Sequence, residues 1–524
     1  MGTFGKSRQK RQGRFMPVSK PSFVRTSPRR IVALALAVAT SVGVARITTA
    51  APASTTGCSP NRPAIAADAS GKVLKTQPRN APIPCGSTTG FNAGETRIYA
   101  TNHAVIYAPA IFTPGPAGLG YGAQLPGPRF QLLTSPGGLA VTRNNGASWR
   151  AVLPMGMTWV SGDEQEYVDR TTGRFFFYNF GGNPFPQTAA LSTNPDAALP
   201  PGVDAHLMWT ADDGHTWHHS TACCPLFSEN PRFAAARAPS GRAKPAGYPN
   251  VLYFCGNATI MLDNGVPGAR ICSRSLDGGS TWSFASILAS HPVPQHSECG
   301  SSGEDFGAGD GNYPQAEPDG SLVVMVSCGK RYLARSTDEG ATWPITRTIP
   351  AFDELRTDTA GNLYGFDGGG GRVVVRVSRD LGRSWSAPIV MTAPGVTVAD
   401  SWNPAVRAPG NAAVSYYGQR AGQAPKADGY LTVTRDALAR APIVWSAVLN
   451  DPRTAMLNDG SSRPPPGDTG YTDFNGSDIA PDGTAWASFI QDCASTDVAP
   501  PCGDGKTHAM YGTRGFAGRL VWPT

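Results

Sequence analysis

The chain has 524 residues, of which 61 are Gly, 47 Pro and 10 Cys, with 40% apolar residues and a formal net charge of +7. That charge is local: residues 1–50 hold ten Lys or Arg and no Asp or Glu, leaving 35 basic against 38 acidic residues beyond them. A balance of about −3 after the leader excludes a basic nucleic-acid surface, and turn residues in this abundance without long helical periodicity point to an all-β chain.

In chain order, residues 1–30 are a basic region ending in Ser27-Pro28-Arg29-Arg30, residues 31–45 are apolar, and the small-residue string TTAAPAS follows Arg46. This is the order of an export signal, and the apolar run is short for a membrane span. The paired arginines resemble a twin-arginine signal, with a Sec signal as the alternative. Residues 51–90 read as an N-terminal extension and 91–524 as the folded domain, expected to be exported from a bacterium and to have no stable membrane span after signal removal. All ten cysteines, at 58, 85, 223, 224, 255, 272, 299, 328, 493 and 502, lie beyond the leader. Their even number in an exported chain favours disulfides. Nearest-neighbour pairing is expected: Cys255 with Cys272 would join adjacent strands and Cys493 with Cys502 would clip a loop. Cys223-Cys224 is either a vicinal disulfide or two separate half-cystines.

An octet recurs five times: TRNNGASW (142–149), TADDGHTW (210–217), SLDGGSTW (275–282), STDEGATW (336–343) and SRDLGRSW (378–385). Each follows a strand-like run and leads into another, which makes it a hairpin turn. Its acid or amide (Asn144, Asp212, Asp277, Asp338, Asp380) can accept from backbone NH groups, its Gly can take positive φ, and its Trp (149, 217, 282, 343, 385) can cover the turn. A second signal, a turn followed by a continuous apolar strand, recurs in DRTTGRFFFY, PNVLYFC, PDGSLVVMV, DTAGNLYGF, PGNAAVSYY and PDGTAWASF. Such strands need cover on both faces. Two strands around each kind of turn make a four-stranded meander. With degenerate units through Trp445 and Trp486, the count is seven blades of a β-propeller, six being the alternative.

The octet resembles the Asp-box, or BNR repeat, of the sialidase superfamily, and GDEQEYVDRTTGRFFFY resembles the repeat unit of secreted BNR proteins. The resemblance covers roughly residues 90–524 and implies the propeller fold; the superfamily also contains secreted propellers that are not sialidases.

In a meander, the two kinds of short turn share one face, so the long insertions, 179–205, 286–315, 450–475 and 491–507, share the other. Function is expected on that elaborated face, around the axis. The residues entering the innermost strands there are Glu164 and Glu166; Asn230 and Arg232; Tyr313 and Gln315; Asp353, Glu354 and Arg356; Asp400, Trp402 and Asn403; and Tyr471, Asp473 and Asn475. Aromatics stack on sugar faces, planar amides bond hydroxyls, and arginine pairs with carboxylates. The competing expectation is that these groups satisfy one another and the strand ends.

Resemblance implies an exo-sialidase: three arginines on the substrate carboxylate, a Tyr nucleophile activated by Glu, and an early Asp as acid/base. The early arginine motif is missing, its nearest string being TRIY at 96–99, and no Asp lies between Asp68 and Asp163. No sialidase catalytic residue is therefore carried over. The leading expectation is a propeller that binds or hydrolyses glycans, with Arg232 and Arg356 gripping an acidic sugar, Tyr313, Trp402 and Asn403 contacting it, and acid/base candidates among Glu166, Asp353, Asp400, Asp473 and Tyr471. The alternative is a non-catalytic extracellular scaffold for a protein or cell-wall polymer. No cofactor is expected beyond a candidate structural calcium in HSECGSSGEDFGAGDGNY, where Glu304, Asp305 and Asp310, with Glu298, could supply hard oxygen ligands; a solvated Gly-rich loop is the competing reading. HExxH, GxSxG and P-loop motifs are absent. His218-His219 reads as a surface pair.

Overall fold

The computed structural model describes residues 57–523, apart from 91–95, 110–138, 153–164, 179–204, 223–227, 243, 259–268, 290–313, 329, 424–425, 459–474 and 493–512. The calcium candidates Glu304, Asp305 and Asp310, together with Tyr313, Tyr471, Asp473, Glu164 and the cysteines at 223, 224, 299, 493 and 502, lie outside the described residues.

The architecture is a seven-bladed β-propeller of antiparallel sheets. The innermost strands of blades 1 to 7 are Thr96–Ala100, Gln165–Val168, Ser228–Arg237, Gln315–Ala316, Glu354–Thr357, Val396–Val406 and Gly476–Ile479. In blades 1 to 5 the remaining strands follow outward in chain order, so the apolar runs predicted after each first turn become second strands. Phe175–Tyr178, Leu322–Cys328 and Ala412–Arg420 are examples, and Phe175, Phe176, Phe177, Val323, Val324 and Val414 are at most 1% exposed. Neighbouring blades cover both faces of such a strand, which is why apolar residues occupy successive positions.

Two strands come from residues read above as an N-terminal extension. Ile83–Thr88 pairs with the C-terminal strand Thr513–Val521 to complete blade 7, and Ile65–Ala67 adds a fifth strand to blade 6. Cys58–Cys85 ties this segment to itself, and Cys255–Cys272 bridges the second and third strands of blade 3, where the two residues are directly opposite.

The octets close the outer hairpins of blades 1 to 5, and their geometry repeats. In TADDGHTW the Thr210 hydroxyl donates to Asp212 (2.8 Å) and accepts from the Gly214 NH (2.9 Å), while Asp212 accepts from the NH of Thr216 (2.8 Å) and its hydroxyl (2.7 Å). Asp277, Asp338 and Asp380 are bound in the same way, and Asn144 accepts from the Ser148 NH at 2.9 Å. Positions four and five of every octet have positive φ, at 54° and 85° for Asp213 and Gly214. The tryptophans seal the space between blades. Trp282 donates to Ser220 of blade 2 (3.1 Å) and Trp343 to Ser286 of blade 3 (3.1 Å); Trp385 packs on Phe352. Trp217 packs edge-on to Phe175 and Trp149 edge-on to Tyr107. His215, His218 and His219 are exposed, although His218 stacks on Trp209 at 3.8 Å.

A charged axial cavity

All seven innermost strands contribute to one cavity of about 400 Å³. Its walls include Arg97 from blade 1, Glu166 from blade 2, Arg232 from blade 3, Gln315 from blade 4, Arg356 from blade 5, Asn403 from blade 6 and Gly476 from blade 7. The shared register has a simple origin. Each first strand starts on the elaborated face and ends at a short turn, so residues near its start ring one end of the cavity, and residues at the turn ring the other.

At the first end, Arg97 and Arg232 are 8% and 2% exposed, and Glu166 between them is 6% exposed. Both Glu166 oxygens are buried, and the Tyr99 hydroxyl interacts with the carboxyl. Burial pushes the Glu166 carboxyl up to about 8, against the pull of Arg97, Tyr99 and Arg232. Arg356 is held by an ion pair to Glu354 of its own strand (2.5 Å).

At the turn end, acids at corresponding positions are mostly bound. Asp169 accepts from Tyr248 (2.6 Å) and Asn250 (3.0 Å), and Asp358 accepts from Tyr364 (2.8 Å) and Asn362 (2.7 Å). Glu317 is the exception: its Oε1 has no hydrogen-bond partner, and burial, with Asp319 and Asp358 adding to it against Arg335, raises its carboxyl to about 7. Arg170 crosses this end to Asp478 of blade 7 (3.1 Å).

Of the residues proposed from sequence, Glu166, Arg232, Arg356, Gln315 and Asn403 are in the wall. Asp353, Asp400 and Trp402 are not. Asp353 is exposed and accepts from the Gly368 NH (2.9 Å). Asp400 is half-buried and accepts from the Ser401 NH (2.9 Å), at a bulge where Ser401 has φ of 45°. The bulge changes the facing of the strand between Asp400 and Asn403, and Trp402 packs against Gly368, where an added Cβ would clash with its Nε1. The amides serve the frame: Gln315 accepts from the Thr357 NH (3.2 Å), Asn403 from the Ser477 NH (3.2 Å) and Asn475 from the Ser415 hydroxyl (3.1 Å). For these, hydrogen bonding between neighbouring blades is what the structure shows. Arg97 was missed as a wall residue, although it stands near the start of its strand as Glu166 does in blade 2. Its unit lacks the DxxG-like turn that marks the others, which hid the alignment. Among the described residues, no cluster of His, Cys, Asp or Glu could hold a metal ion, and no helix is long and apolar enough to cross a membrane.

Fold and cavity together define a seven-bladed propeller with a charged axial site. No protein-family model matches the chain, and no curated protein matches it. Among solved structures it is similar to a protein of unknown function from Dyadobacter fermentans, at 14% identity over 69% of this chain and 94% of that one, with a TM-score of 0.39. It is also similar to an alpha-L-arabinanase of Penicillium chrysogenum (12% identity, 70% and 98% covered, TM-score 0.34) and a sialidase of Streptococcus pneumoniae (12%, 86% and 70%, TM-score 0.35). Likeness at this level does not extend to a site.

Proposed function

We propose that the protein is an exported propeller that binds an acidic glycan in its axial cavity, with Arg97, Arg232 and Arg356 meeting the ligand's carboxylate. The observation that carries this reading is that, of the five arginines in the wall of one cavity, three, Arg97, Arg232 and Arg356, come from the innermost strands of alternate blades. Guanidinium groups suit carboxylates because their planar fork donates two parallel hydrogen bonds, and a concave site of this volume suits one or two sugar residues. The likeness of the octets to the Asp-box agrees with it. Export is supported by the basic, apolar and small-residue order of the leader and by the two disulfides.

Hydrolysis by paired carboxyls requires two of them about 5 to 10 Å apart around the bond. Of the described candidates, Asp353 and Asp400 stand outside the wall and Glu166 lies in it, with Asp169, Glu317, Asp358 and Asp478 towards the turn end; the arginines carry the binding reading, and turnover is left to the assay. A glycan array followed by calorimetry tests the reading. Acid-bearing glycans should bind and neutral ones should not, and Arg97→Gln or Arg232→Gln should each weaken binding about tenfold or more through loss of a charge-assisted contact. Selection of neutral glycans, or unchanged affinity in both variants, would remove the proposal; sugar release from a bound glycan would make the protein an enzyme.

A further inference from the structure

Glu166 has surroundings that an anionic ligand would change. The elements packed on its strand are the inner strands of blades 1 and 3 and the second strand of its own blade. Blade 1 presents Arg97 and Tyr99 to it and blade 3 presents Arg232, while the residue opposite in its own blade is the apolar Phe177. Arg356 stands elsewhere in the same cavity wall. Glu166 is thus the acid set between two of the guanidiniums that a ligand carboxylate would engage, and both of its oxygens are buried.

A carboxylate or sulfate seated on Arg97 and Arg232 would place a second anion beside Glu166 in a wall shielded from water. Adjacent buried acids do not both stay ionised, because their repulsion is weakly screened there. We infer that Glu166 takes up one proton when an anion occupies the cavity, so that acidic ligand and proton bind together and the neutral acid donates a hydrogen bond to the ligand. The proton comes from solvent and settles on a Glu166 oxygen; no covalent bond changes. This rests on the reading of the cavity as an anion site. Burial raises the carboxyl in the same direction, so the uptake is read above neutral pH, where Glu166 is otherwise ionised.

The test uses the full mature chain with glucuronate, N-acetylneuraminate and inorganic sulfate, whose own acids stay ionised across the range. Affinity should be level from about pH 6 to 7 and then fall by up to about tenfold per pH unit above about 8, where proton uptake becomes a cost of binding. Calorimetry near pH 9 in two amine buffers of different ionisation heat should show uptake of close to one proton per ligand. Glu166→Gln, a neutral isostere, should bind with a level profile. A level wild-type profile with clear binding, or no proton uptake, overturns this inference while leaving the anion site intact. Failure of all three anions to bind at any pH overturns both.

Discussion

Arg170 of blade 2 donates to Asp478 of blade 7 at 3.1 Å and, through its other terminal nitrogen, to the Val406 carbonyl of blade 6. Blade 2 neighbours neither of the other two, so one side chain braces the turn end of the axial cavity. Arg407 adds a contact to the Ile479 carbonyl (2.9 Å) between the adjacent blades 6 and 7.

Arg170→Ala should lower stability by about 1 to 3 kcal/mol, because Asp478, only 9% exposed, would lose its cation while keeping its backbone donors. Urea denaturation reads the loss. Anion affinity at the other end should stay within about threefold; a large drop would mean that the strut also shapes the ligand site.

Asp212→Ala should cost about 1 kcal/mol by removing the carboxylate that gathers the His215 and Thr216 NH groups and the Thr216 hydroxyl, which would then bond to water. Ligand affinity of the folded fraction should not change, since the octet lies on the turn face. A selective loss of affinity with an unchanged melting curve would contradict that placement.

Acid should unfold the protein through these same turns. For Asp212, burial raises the carboxyl but is outweighed by the Thr216 NH and hydroxyl, the Thr210 hydroxyl and the His215 NH, leaving it at about 2. The Ser384 hydroxyl leads the lowering of Asp380. A depressed folded value means stability that is fully present above the unfolded carboxylate range and lost as pH falls through the folded one. The melting temperature should hold down to about pH 5 and decline steadily towards pH 2; a flat profile there would mean that the octet acids are not bound in solution.

Gly476→Ala should disturb both frame and site. An added Cβ would meet the Ile98 nitrogen at 2.7 Å and the Arg97 Cα at 2.8 Å, so blade 1 would have to shift. Overpacking against backbone costs about 1 to 3 kcal/mol, and displacement of Arg97 should weaken anion binding. Equal stability and affinity would show that blades 1 and 7 approach less closely than here.

Replacing both Cys255 and Cys272 with Ser should destabilise the fold by about 3 kcal/mol, the entropy released by opening a loop with a sequence separation of 17 residues. Guanidinium denaturation with and without reductant reads it, and reductant should not affect the double variant through this pair.

The octets were legible from sequence because their hydrogen bonds close within eight residues: Thr210, Asp212, Gly214 and Thr216 satisfy one another wherever the hairpin sits. The apolar second strands were legible for a related reason, since cover on both faces leaves no polar positions to alternate. The blade count and the Cys255–Cys272 pair follow from those repeats. Long-range pairing decided the rest. Nothing near Ile83–Thr88 announces that its partner is Thr513–Val521, over 400 residues away. Nothing near Asp353 or Asp400 shows that the Gly368 amide and the bulge at Ser401 hold them outside the wall. The setting of Glu166 between Arg97 and Arg232 likewise needed three blades brought to one axis, because burial and charge at a point depend on every chain segment that reaches it, whereas a turn depends only on its own.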